Sequence, residues 1–140
     1  MITAVMERLK AKTSITDIQT AEDLEALSNG VMPRNRTVFV LPFDESAGDN
    51  AFVSGTFRQS VVVRFLVAFF LRRYDDAKGD GRVTIFELMR DEIEKALAGW
   101  QWDEHEELVS FVGSRAGSSP AKGTSIFVQT WQTTRTLERS

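Results

Sequence analysis

The feature that most constrains this chain is a stretch from Phe57 to Leu71 in which residue character alternates with a period of two. One set, Phe57, Gln59, Val61, Val63, Phe65, Val67, Phe69 and Leu71, is almost wholly apolar. The other, Arg58, Ser60, Val62, Arg64, Leu66, Ala68 and Phe70, begins polar and turns apolar. A period of two belongs to a β-strand, whose successive side chains point to opposite faces. The change of character half-way predicts a strand that runs from a rim into an interior covered on both faces. Its most apolar part, residues 61–71, contains Arg64 and falls well short of the ~20 apolar residues of a membrane-spanning helix. It is therefore read as a buried strand, with no membrane partner expected.

Other segments take one period or the other. Ile2, Val5, Met6 and Leu9 recur at helical spacing, with Glu7, Arg8 and Lys10 on the other side, which predicts an opening amphipathic helix ending near Thr13 and Ser14. A short strand is expected over residues 15–19, and a short helix follows Thr20 and stops at Asn29 and Gly30. Residues 37–41 form a β-branched and aromatic run closed by Pro42, the pattern of a buried strand. Residues 44–50, polar and with Gly48, are expected to form a loop. From Thr84 to Leu97 the helical period returns through Phe86, Met89, Ile93 and Leu97, with Leu88 and Ala96 beside the stripe. Thr84 and Glu87 fit a capping box, Val83 and Leu88 a hydrophobic staple, and Gly99 a stop. Two strands are then expected, at 108–112 and 125–137, separated by a flexible Gly/Ser loop over 113–119, with residues 135–140 fraying. The order predicts an α+β fold: one domain over residues 1–140, a mostly antiparallel β-sheet packed on one face against two main α-helices.

Composition narrows function. The chain has 140 residues, 42% of them hydrophobic, which suits one domain with a proper core. A net charge of -3, with both signs scattered, offers no basic face, so nucleic acid is not an expected partner. There is no cysteine, which removes thiolate nucleophiles, disulfides and cysteine-ligated metals, and no cofactor is expected. The first residues lack the basic and long apolar regions of a secretory signal, so the chain is expected to stay in the cytoplasm where it is made.

The sharpest local motif runs from Asp76 to Glu87 and overlays an EF-hand calcium loop, with Asp76, Asp80, Gly81 and Glu87 at matching positions. Lys78 places an ammonium where that loop needs an oxygen ligand, and the preceding segment alternates like a strand, so a turn followed by a capped helix explains the same residues better. A calcium-binding module built on this stretch is the alternative function. The only histidine, His105, sits among Asp103, Glu104, Glu106 and Glu107. A run of consecutive charges usually marks a solvated loop, so catalysis there is not expected, and no serine lies in a nucleophile elbow. Trp100, Trp102 and Trp131 are read as core or interface anchors.

Several of these pieces, in this order and spacing, resemble the tail terminator family of long-tailed bacteriophages. They are the opening helix from Ile2 to Leu9, the strand Val38 to Pro42, and the long strand through Arg58, Gln59 and Ser60 to Phe65. The turn at Asp76 to Gly79, the helix ending Ala96-Leu97-Ala98-Gly99-Trp100, the strand Leu108 to Arg115, and the closing strand with Trp131 and Gln132 complete the set. The resemblance implies a non-enzymatic virion assembly protein, a homohexameric ring that caps the tail tube and ends its polymerisation. It further implies contacts with the tail tube protein and with a head-tail connector or stopper protein. The family supplies no catalytic residues to transfer. By chemistry alone, Asp44, Glu45, Asp49 and Phe52, together with the turn holding Arg72, Arg73 and Asp75, are the expected interface residues.

Overall fold

The computed structural model describes residues 1–22, 36–53, 56–72, 80–118 and 124–139. In chain order the elements are α1 (Ile2–Lys12), β1 (Ile18–Thr20), β2 (Val38–Val53), β3 (Thr56–Arg72), α2 (Asp80–Leu97), β4 (Ser110–Ser118) and β5 (Thr124–Arg139). The strands form one sheet in the order β1-β2-β3-β5-β4. Among the described residues only the β1–β2 pair is parallel; the other three pairs are antiparallel. The expected α+β class and mostly antiparallel sheet are what the structure shows.

The central strand β3 behaves as its alternation predicts. Phe65, Val67, Phe69 and Leu71 enter the core beneath the helices, joined by Val5 and Leu9 of α1 and by Met89, Ile93, Ala96 and Leu97 of α2. On the opposite face Leu66 and Ala68 are buried with Leu41 and Val128. Arg58 and Ser60, earlier in the same strand, are exposed. Burying large apolar side chains contributes roughly 1.5–3 kcal/mol each, so the half of β3 from Phe65 to Leu71, its proximal half, carries much of the stability and the half before it is distal. Phe69, Phe86 and Phe127 stack at centroid distances of 4.3 to 5.9 Å and tie α2 to β3 and β5.

Helix α1 ends where Thr13 turns extended; its amide and hydroxyl both donate to the Leu9 carbonyl, at 3.0 and 2.6 Å. The helices are tied together by the Arg8 Nε donating to the Ala96 carbonyl at 2.9 Å, and Ser14 donates from N and Oγ to the Glu92 carboxylate. Gly99, at φ +76°, stops α2 in the left-handed region that favours glycine. Its amide donates to Val109 O at 2.8 Å while Val109 N donates to Trp100 O at 2.7 Å, which clamps the following segment back onto the helix end.

Five local expectations are corrected. Residues 44–50 are not a loop: β2 continues past Pro42 to Val53, with irregular register between Pro42 and Asp44 and between Ala47 and Asn50. Beyond Val40 the outer side of β2 has no β1 partner, and proline is tolerated on such an edge because no ladder donor is lost there. Residues 113–118 are likewise strand rather than flexible loop, and 135–139 are paired to β3 rather than frayed. Helix α2 starts at Asp80, so Thr84 lies inside it rather than at its cap, and Leu88, assigned to the staple, is 60% exposed. The short strand sits at Ile18–Thr20, later than expected. The short helix expected before Gly30 lies outside the described residues.

Candidate assembly surface

The distal half of the sheet projects charged and polar side chains from three adjacent strands. Along the helix-side face, Glu45 stands opposite Val63 and Arg135 opposite Val61. The Arg135 guanidinium donates from Nε and Nη2 to the two Glu45 carboxylate oxygens at 2.9 and 2.8 Å, a bidentate pair that crosses β3 diagonally. Val61 and Val63 beneath it are 7% and 5% exposed. The hydrogen bond from Arg135, with help from its charge and against slight desolvation, holds the Glu45 carboxyl below its usual value; the reciprocal hydrogen bond raises Arg135. The opposite face carries Arg64 with Asp44 at 3.7 Å and Arg58 with Glu138 at 3.2 Å. Gln59 Nε2 donates to the Gly48 carbonyl at 3.1 Å, at the second irregularity of β2. A side chain at Gly48 has no room: a Cβ there would lie 2.9 Å from the Ser60 carbonyl oxygen.

The residues expected at an interface are distributed unevenly. Asp44 and Glu45 share this distal surface, each half-exposed. Asp49 and Phe52 lie in the β2 backbone, but their side chains fall outside the described residues. Arg72 ends β3 opposite Thr124, at the far end of the strand from Asp44. Arg73 and Asp75 lie outside the described residues.

Two participants were missed by sequence reasoning. Arg135 falls in the terminus expected to fray, although the alternation of β5 runs on through it. Glu106 was assigned to a solvated run, yet it is 8% exposed; its carboxylate accepts from Thr136 Oγ1 at 2.9 and 3.1 Å and from Thr134 Oγ1 at 3.4 Å. Nothing in a row of five charged residues distinguishes it. His105 and Glu104 keep the expected solvated character, with side chains 69% and 84% exposed and 3.2 Å apart.

The calcium alternative meets two geometric obstacles. The element entering the Asp76 to Glu87 stretch is a strand, and Asp80 and Arg82, the fifth and seventh positions of the loop, are helical, whereas a calcium loop must wrap the ion at those positions. Asp76 itself lies outside the described residues, and among the described residues no group of three or more His, Asp or Glu side chains stands ready for a metal. No described helix is long and apolar enough to cross a membrane. The tryptophans are anchors, as expected: Trp131 is fully buried, and Trp102 Nε1 donates to Thr134 O at 3.0 Å. Trp100 packs on the core under Arg8.

What decides the family is a match to the phage tail terminator protein model over residues 2–140, essentially the whole chain. The chain belongs to the phage tail terminator family. A solved chain from the virion of a native gene transfer agent particle has a similar fold, with a TM-score of 0.59 at 14% identity, covering 96% of this chain and 92% of that one. Comparison with curated proteins finds no match.

Proposed function

We propose that this chain is a structural, non-catalytic component of a virion tail that assembles as a homohexameric ring on the finished tail tube. The ring ends addition of tube protein and presents its other surface to a head-tail connector or stopper protein. Assembly takes place in the host cytoplasm. The observation that carries this reading is the family match over residues 2–140. The likeness to a gene transfer agent virion chain over nearly the full length supports the fold that this role uses.

The distal surface supplies the physical means. Rings of identical subunits need two different patches on one molecule, each complementary to the other. A sheet with charged, half-exposed side chains along one end and open strand edges on both sides offers such patches. Asp44 and Glu45 are proposed contacts on this ground, as are Asp49, Phe52, Arg72, Arg73 and Asp75 on their chemistry.

Native mass spectrometry of the purified chain is expected to show a species at six times the 15.8 kDa monomer mass. In the parent phage, inactivating the gene is expected to leave tails of uncontrolled length without heads attached. Tails of normal length joined to heads would overturn the reading.

A further inference from the structure

Among the described residues the sheet leaves two strand edges open. β4 is the terminal strand on one side, and its described residues are exposed except for half-buried Gly113, with Phe111 and Val112 46% and 49% exposed. On the other side β1 pairs only with residues 38–40, so the rest of β2 is an edge, exposed over residues 42–47. An open edge is a row of backbone donors and acceptors ready to pair with another chain, and proteins commonly guard it with lysine, proline or bulges. β2 carries Pro42 and two register irregularities; β4 has one, between Phe111 and Gly113, and neither lysine nor proline.

Behind β4, against α2, lies a groove of about 300 Å³ lined by Phe86, Arg90, Arg115, Ala116, Phe127 and Gln129 among others. Gln129 is 2% exposed; its Oε1 accepts from Trp131 Nε1 at 3.0 Å, but among the described residues its Nε2 has no partner. A buried amide donor without an acceptor costs about 1–3 kcal/mol, and a side-chain carboxylate reaching into the groove from the arriving strand would relieve it.

Charge and direction both match one edge to the other. Residues 41–53 of β2 carry Asp44, Glu45 and Asp49 and no lysine or arginine, whereas residues 110–118 carry Arg115 and no acid. Asp44 and Glu45 have internal partners, yet each side chain stays 48% exposed, so acceptor capacity remains at the edge. β2, β3, β5 and β4 are antiparallel in turn, so β2 and β4 run in opposite directions. A second copy related by rotation about an axis along the strands then brings its β2 against this β4 in antiparallel register, with helices on the same side of both sheets.

We propose that the open edge of β4 receives the distal part of β2 from a neighbouring copy, extending one sheet into the next around the ring. This rests on the ring reading above and supplies its subunit contact. Main-chain pairing gives the affinity; side chains on one face of the arriving strand enter the groove beside Arg90 and Gln129, and those on the other face meet Arg115.

The chain has no cysteine, so paired cysteines report the contact directly. Ser114→Cys or Ala116→Cys in β4 is combined with Glu45→Cys or Ala47→Cys in β2, all on the helix side of the sheet by register; the full chain is oxidised, and covalent size is read under denaturing conditions beside native mass spectrometry. At least one combination is expected to give a ladder up to the ring, while each single-cysteine variant stops at dimer. Arg115→Glu is expected to raise the concentration for half-assembly at least tenfold without lowering the monomer's melting temperature. An intact ring that yields no linkage beyond dimer in any combination overturns the edge pairing and leaves the ring. A chain that stays monomeric at every concentration overturns both.

Discussion

The two halves of β3 are one strand in two environments. In the proximal half Phe65, Val67, Phe69 and Leu71 lie under the helices while Leu66, Ala68 and Phe70 are buried on the other face. In the distal half Val61 and Val63 are buried on one face only, and Arg58 and Ser60 face solvent. The proximal half is held by apolar burial. The distal half is held by its strand ladder and by exposed ion pairs, which typically contribute less than ~1 kcal/mol each. The difference separates roles: one end of the sheet makes the fold, and the other is free to meet partners.

Replacing a proximal anchor should break this comparison in the expected direction. Trp131→Ala removes a fully buried indole from the main core and is expected to cost about 3–5 kcal/mol, read as a lower midpoint in chemical denaturation. A distal change of comparable cost would show that the distal half is part of the core.

The largest distal effect is expected at Gly48. Gly48→Ala forces a methyl against the Ser60 carbonyl and is expected to destabilise by roughly 1–3 kcal/mol, with a local change in amide exchange along β2 and β3. Unchanged exchange would mean that the irregularity shifts freely.

Glu106 tests the distal half from its β5 side, where Thr136 stands opposite Ser60 and Thr134 opposite Val62. Glu106→Ala leaves Thr136 Oγ1 without its acceptor and is expected to cost about 1–2 kcal/mol, whereas Glu106→Gln keeps an acceptor and should cost less. Thermal melts of the two variants side by side decide it.

The smallest effect belongs to Glu45. Its folded carboxyl titrates below the unfolded one, so its stabilisation is present above the unfolded pKa and is lost as pH falls through the folded pKa. Wild type should exceed Glu45→Gln by less than ~1 kcal/mol at neutral pH, the gap closing on acidification and in high salt. A gap that persists in acid would show that packing, not charge, links Glu45 to Arg135.

Much of this was legible in the sequence where a period ran unbroken. The alternation from Phe57 to Leu71 and the stripes through Val5 and Leu9 and through Met89, Ile93 and Leu97 gave both helices, the central strand and their buried faces. Residues 44–50 and 113–118 carry a loop signal in the sequence because Gly48, Gly113 and Gly117 are turn-formers by local chemistry. On an edge strand they are tolerated, since only one side must pair. The interface expectations at Asp44 and Glu45 came from a supposed acidic loop, and the structure places them on a strand with arginine neighbours.

The α+β class, the helix stripes and the strand covered on both faces follow from local periodicity, and the order of motifs along the chain carries the family resemblance. That β1 runs parallel to β2, that β5 lies between β3 and β4, that Glu45 reaches Arg135 and that Glu106 is buried emerge in the folded molecule alone. The reason is physical: periodicity is set by neighbours along the chain and can be read locally. Strand order, register and the burial of a single carboxylate depend on hydrogen bonds and packing between residues far apart in sequence.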